Sequence, residues 1–384
     1  MAGIFSRRNV IVGGVATLGI AGFAAYRWNP SFANAVDNII DPTVHEVGVV
    51  ELGSGGPKWT VLKFAPRQLT EGLGADRYGG VQRASRYDRH VVASGDIEVE
   101  VRNPEAIPDV VAATMRAAEL LENNGVQPGR SVIVGSSSIA RLPPEHLENL
   151  RKAFQNANVQ LEIVNAAQEA EYAFRWLVAL SDRDNSTFID IGSGNIKGGH
   201  INPETGEFAS FEIAEGISSL MSAAQALPDT TSIQDRMAAV VAERITPRLE
   251  VLKRDGFAND RMYLSGGAVW AMRCVTHPDI PQNEPWVRLT AADVQRYYDI
   301  VTADPSLNSL TENLPANSSL RRRIAAIHEA IPQENRILAS AHILKAMSEQ
   351  LDFDSTPHVF FADEGQFAWS TMYLLARLGL ERRL

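Results

Sequence analysis

One short pattern closes two apolar strands 139 positions apart: Glu51-Leu52-Gly53-Ser54-Gly55 and Asp190-Ile191-Gly192-Ser193-Gly194, each reading acid-apolar-Gly-Ser-Gly. A returning strand follows each. A repeat at a domain-sized interval predicts a duplication, with two similar lobes facing one cleft. Turns of small residues expose backbone N–H groups, and such nests bind anions, phosphate above all. Glycines let an oxygen approach the main chain without meeting a Cβ. Gly266-Gly267, after a further strand, adds donors at a helix N-terminus. Either turn alone reads better as a tight turn capped by its acid; the three together read as a phosphate site. The acids ending the first strands, Glu51 and Asp190, would hold Mg²⁺ through water, since hard cations prefer oxygen ligands.

The elements around the repeat run in the same order twice. Strands are expected at Val47–Leu52, Trp59–Phe64, Tyr87–Gly95, Ser131–Gly135 and Gln160–Val164, with helices at Glu105–Asn123, Pro144–Asn156 and Ala166–Leu180. The pattern then restarts. Strands are expected at Thr187–Ile191, Lys197–Ile201, Phe208–Ile213, Arg261–Leu264 and His358–Ala362. Helices are expected at Ile217–Ala226, Ser232–Asp255 and Gln366–Leu378, and over Ala291–Leu351 with breaks near Pro305, Pro315 and Pro332. This order suits a three-layer α/β unit on a mixed sheet.

The N-terminus differs from the rest. Arg7-Arg8 precedes an uncharged Gly/Ala-rich run from Val10 to Ala25, shorter than the roughly 20 residues of a membrane span. With Ala33-Asn34-Ala35 it resembles a twin-arginine export signal. An uncleaved anchor with Tyr26 and Trp28 at the interface has equal weight. The body would then be exported or membrane-associated through residues 10–25, or anchored facing the cytoplasm. The division expected is 1–41 targeting segment and linker, 42–181 first lobe, and 182–384 second lobe with helical insertions. The last helix is free to pack back on the first lobe.

Composition excludes several classes. At 384 residues, 45% hydrophobic and 21% charged, this is neither a disordered chain nor a multi-span membrane protein. A net charge of −10 argues against nucleic acid as a partner. Cys274 is the only cysteine, so neither an intramolecular disulfide nor a four-cysteine zinc site can form. Arg321-Arg322-Arg323 reads as a solvated helix face, His328 and His342 as surface or packed histidines, and Asp363-Glu364 as acids closing a turn at Gly365.

The segments VVELGSGGPKWTVLKF, SVIVGSSSIARLPPEHLENL, LEIVNAAQEAEYAF, FIDIGSGNIKGGHI, MYLSGGAVWAM, ENRILASAHILKAM and VFFADEGQFAW follow one another in this order. On them the chain resembles the exopolyphosphatase/guanosine pentaphosphate phosphohydrolase (Ppx/GppA) family of the actin-like ATPase superfamily, from about His45 to Leu378. The resemblance implies an α/β fold of two actin-like (ribonuclease H-like) lobes facing a central cleft. It also implies Mg²⁺ as cofactor, polyphosphate or a guanosine polyphosphate as ligand, and pairing of two copies. Glu169 matches the carboxylate that activates water. Phosphate would be held by Gly53, Ser54, Gly55, Ser136, Ser138, Arg141, Gly192, Ser193, Gly194, Lys197, Gly266 and Gly267, and metal by Glu51 and Asp190.

The chain departs from that family's pattern at specific places. Glu51 replaces an Asp, and Gly55-Gly56 replace Asn-Ser. Arg141 stands one position late, with Ala140 where the Arg is expected, and Glu171 replaces an Arg. Lys197 replaces a second catalytic Glu; it would bind phosphate as a point charge or replace the metal's charge, and it would lower the pKa of Glu169. Two functions compete. The first is hydrolysis of terminal phosphoanhydride bonds. The second is an inactive relative acting as a phosphate-anion or nucleotide sensor or scaffold at the membrane. A sugar or acetate-type kinase is the weakest alternative, because no acceptor pocket is marked.

Overall fold

The computed structural model describes residues 45–66 and 87–378, except 128, 179, 258, 282, 283, 285 and 364. The expected targeting segment lies outside the described residues. Two compact units result: 45–66 with 87–165 and 370–378, and 166–369.

In the first unit β1 (His45–Gly53) and β2 (Gly56–Pro66) form a hairpin, and β3 (Tyr87–Asp96) pairs with β2. A 3-10 turn at Pro104–Ala106 leads into α1 (Ile107–Asn123). Asn103 caps that turn by accepting from Glu105 N at 3.0 Å, and Pro104 needs no N–H partner there. Val110, Ala113, Ala117 and Leu121 recur at helical spacing and form the buried face of α1. Ala117 and Leu121 close a core with Val50, Val61 and Val126. Next come β4 (Ser131–Gly135), the one-turn α2 (Ser137–Ala140), α3 (Pro144–Asn156) and β5 (Glu162–Ile163). The sheet order is β3-β2-β1-β4-β5; the hairpin strands are antiparallel, and β4 and β5 are added parallel to β1.

The second unit begins with α4 (Ala166–Leu177), β6 (Ser186–Ile191), β7 (Ile196–Ile201) and β8 (Phe208–Ile213). It continues with α5 (Ile217–Ala226), α6 (Ile233–Val240), α7 (Thr246–Arg254), β9 (Arg261–Ser265), α8 (Gly267–Thr276) and β10 (Trp286–Leu289). Then follow α9 (Ala291–Ala303), α10 (Ser319–Ala330), α11 (Glu334–Gln350), β11 (His358–Ala362) and α12 (Gly365–Arg377), which the first unit shares from Ser370 onward. The sheet order is β10-β11-β9-β6-β7-β8. Leaving out β10, order and strand senses match those of the first sheet. Ser186, Thr187, Phe188 and Ile189 of β6 are all buried, as a central strand covered on both faces requires.

Several elements differ from expectation. The helix expected over Ser232–Asp255 contains a π turn, Val241–Ile245, whose last amide contact runs from Thr246 N to Val241 O. Pro247 follows at once and has no N–H to continue an α-helical ladder. The strand expected at Gln160–Val164 shortens to two residues. Helix α8 begins where Gly266-Gly267 marks a helix N-terminus and runs to Thr276; strand β10 is an addition. Helix α4, counted with the first lobe in the 42–181 division, packs on β7 and β8 of the second sheet. In the first unit, Tyr373 and Arg377 of α12 both hydrogen-bond Glu162 of β5. Among the described residues no helix is long and apolar enough to cross a membrane.

Candidate phosphate site

In the second unit the predicted residues gather at the C-terminal ends of β6 and β9. Asp190 of β6 stands opposite Lys197 of β7 in the antiparallel register. Lys197 Nζ lies 2.6 Å from Asp190 Oδ2 and 3.0 Å from Glu169 Oε1, the latter carried on the first turn of α4. Lys197 is 4% and Glu169 6% exposed, and Asp190, with its side chain 20% exposed, completes a largely buried cluster of two acids and one base. Burial alone would pull the ammonium pKa down. The charges of Asp190 and Glu169 and their hydrogen bonds overcome that and hold it above its ordinary value.

The glycine turn spans four residues between the paired Ile191 and Ile196. Gly192 N donates to Asn195 O at 2.9 Å, and the Asn195 side chain donates to Glu212 Oε1 of β8 at 2.6 Å. The start of α5 clasps the turn from the other side: Ile217 N donates to Gly192 O at 3.1 Å and Ser218 N to Ser193 O at 2.7 Å. The Ser193 and Ser218 hydroxyls share a hydrogen bond of 2.7 Å. The N–H groups of Ser193 and Gly194 have no acceptor among the described residues, and Ser193 is exposed. Backbone donors left unused at a turn of small residues are what an anion nest needs. Gly266 follows Ser265, the β9 partner of Asp190, at a φ of +102°. A Cβ there would meet Ile191 O at 2.3 Å, so only glycine lets the start of α8 come this close to the turn.

The first unit assembles its own set. Glu51 of β1 faces Lys58 of β2 across the hairpin. Ser136 N donates to Leu52 O at 3.0 Å, which brings the Ser136–Ser138 loop beside the Gly53 turn. Ser136 and Ser138 share a hydroxyl bond of 2.8 Å, and Arg141 is exposed just past α2. The two turns, alike in sequence, sit in the same register, and in the second the Gly192 N to Asn195 O bond encloses Ser193-Gly194 where the strand pairing itself has stopped. In the first, Gly53 pairs with Gly56, leaving Ser54-Gly55 as the two-residue turn.

Other expectations resolve plainly. Arg321 and Arg322 are exposed, but Arg323 is buried and donates to Pro278 O at 3.3 Å and Ile280 O at 2.7 Å, so the run is not wholly a solvated face. His328 Nε2 pairs with Ser306 O at 2.7 Å. His342 is buried in α11, and burial lowers its pKa to about 4. Sequence reasoning did not find Asn195, Ser218 or Arg336. The last brings its Nη2 to 3.5 Å from Ser193 Oγ.

Magnesium at Asp190 does not fit the residues present. The space between Asp190 and Glu169, where two carboxylates would share a divalent ion, is filled by Lys197 Nζ within hydrogen-bond distance of both. Among the described residues no group of three or more His, Cys, Asp or Glu is arranged to hold a metal.

No protein-family model and no curated protein matches the chain. Solved structures do. The Ppx/GppA family member of Aquifex aeolicus superposes with a TM-score of 0.61 at 14% identity, over 88% of this chain and 99% of that one. An exopolyphosphatase from Cytophaga hutchinsonii gives a TM-score of 0.58 at 13% identity, over 88% and 99%. An exopolyphosphatase-like protein gives 0.53 at 14% identity, over 83% and 94%. The chain has the fold of the Ppx/GppA proteins, far diverged from them in sequence.

Proposed function

We propose that this chain is a diverged phosphoanhydride hydrolase of the Ppx/GppA type, acting on the end of a polyphosphate or guanosine polyphosphate chain. The observation that carries the reading is the meeting of Glu169, Asp190 and Lys197 beside the Gly192–Gly194 turn and Gly266-Gly267. Glu169 would take a proton from a water whose oxygen bonds to the terminal phosphorus as the bridging P–O bond breaks. Orthophosphate leaves, and the chain is one unit shorter. Backbone N–H groups at Ser193, Gly194 and Gly267 would stabilise the oxygens that gain charge. Lys197 neutralises one carboxylate from within. Within the first unit, the turn at Gly53–Gly55, with Ser136, Ser138 and Arg141, would bind phosphate in its own right. Export or anchoring through residues 10–25, and pairing of two copies, belong to the same proposal.

A second reading, a phosphate-chain sensor without turnover, is favoured by one contact. Glu169 is buried and already paired with Lys197 at 3.0 Å, which makes it a poor acceptor for a water proton. One assay separates the two: phosphate release from long-chain polyphosphate and guanosine pentaphosphate. Slow release that disappears in Glu169→Gln supports the hydrolase. Binding without release, with release gained in Lys197→Glu, supports the sensor. Neither binding nor release excludes both.

A further inference from the structure

The buried cluster that anchors the site is not itself attractive to an anion. Two carboxylates surround one ammonium, and Lys197 spends donors on both of them. A phosphate at this turn therefore needs a second cation, and the fold holds one there. Arg336 is the third residue of α11, where the positive end of the helix dipole disfavours a cation. It has no carboxylate partner among the described residues. Its Nη2 approaches Ser193 Oγ at 3.5 Å, the outer limit of a hydrogen bond, and its Nε is buried without a partner. Burial lowers its pKa, and the half-buried guanidinium has no carboxylate to offset the hydration it loses. Gln333, at the head of the helix, provides no side-chain cap. A cation that meets neither a carboxylate nor a favourable dipole marks a functional residue rather than a structural one.

We propose that Arg336, with the Ser193 and Ser218 hydroxyls, anchors a phosphoryl group at the second glycine turn. The guanidinium fork suits two oxygens of one phosphate, and the N–H groups of Ser193 and Gly194 complete the cradle. The hydroxyls already share a bond of 2.7 Å, so either can turn its proton to a ligand oxygen. Lys197 holds the carboxylates in place, and Arg336 meets the ligand. The assignment rests on the phosphate reading above and adds to it the residue that recognises the anion.

The test is titration of the full chain with tripolyphosphate in EDTA, beside Arg336→Gln and Arg336→Lys, with melting temperatures of all three without ligand. Losing a charge-assisted contact should weaken binding about tenfold to a hundredfold in Arg336→Gln. Arg336→Lys should fall between. The ligand-free melting temperature of Arg336→Gln should be equal or higher, because an uncompensated charge has gone. Binding by Arg336→Gln within about twofold of the native chain overturns this assignment alone. So does a lowered ligand-free melting temperature, which marks a structural role. Failure of the native chain to bind tripolyphosphate overturns the phosphate reading, and this assignment with it.

Discussion

Lys197 is the residue whose removal leaves the most behind. Without its ammonium, Glu169 and Asp190 face each other in a buried site, and breaking such a pair costs about 3–5 kcal/mol. Lys197→Met should lower the unfolding free energy by that amount in denaturant titrations. Its pKa is raised in the fold. Its contribution is therefore complete below the unfolded value, about 10.4, and is lost only as pH rises through the folded one. The native chain should thus keep this contribution from neutrality up to about pH 10, whereas in the variant the facing carboxylates take up a proton on acidification, so the gap should narrow as pH falls. A loss below about 1 kcal/mol would mean that the cluster behaves as a surface pair. Glu169, Asp190 and Lys197 were legible in the sequence because they sit in or beside motifs. Arg336 was not: it reaches Ser193 across 143 positions, and only the packing of α11 makes that contact.

At the scale of elements, the strand-to-helix junction after β9 is the constrained one. Gly266→Ala would place a Cβ against Ile191 O at a φ of +102°. It should cost at least about 1–3 kcal/mol in backbone strain and weaken tripolyphosphate binding. Gly55→Ala is the contrast. Nothing lies within 4 Å of a Cβ there, so stability should stay within about 0.5 kcal/mol. Thermal melts of the two variants decide this, and equal effects would contradict it. Most elements could be read from periodicity and turn residues. Helix α8 showed only its start, at Gly266-Gly267; its extent could not be read, because Ala268, Val269, Ala271, Met272, Cys274 and Val275 are all buried. A helix with no polar side shows no period. Strand β10 has four residues and follows a proline-bearing loop, too short to announce itself. The π turn depends on a single residue, Pro247.

Across the whole molecule the duplication is the main regularity. The repeated acid-apolar-Gly-Ser-Gly pattern announced it, and matching strand orders in the two sheets carry it. The repeat extends further: each acid is followed seven residues later by a lysine, Glu51 by Lys58 and Asp190 by Lys197. The lysines share a register position across their hairpins, yet Lys58 is exposed and Lys197 buried. Sequence spacing specifies the register, whereas burial depends on what packs above it. Over Lys197 that includes α4 with Glu169. The two units have thus kept one topology while only the second has enclosed its lysine between two acids. A site with its cations built in, Lys197 on the carboxylates and Arg336 at the turn, should take phosphate chains without a divalent ion. The most direct measurement is equilibrium binding of long-chain polyphosphate by the full chain, first in EDTA and then with added Mg²⁺. Saturable binding in EDTA, little changed by the metal, is the predicted result. Binding that appears only when Mg²⁺ is added would contradict the account.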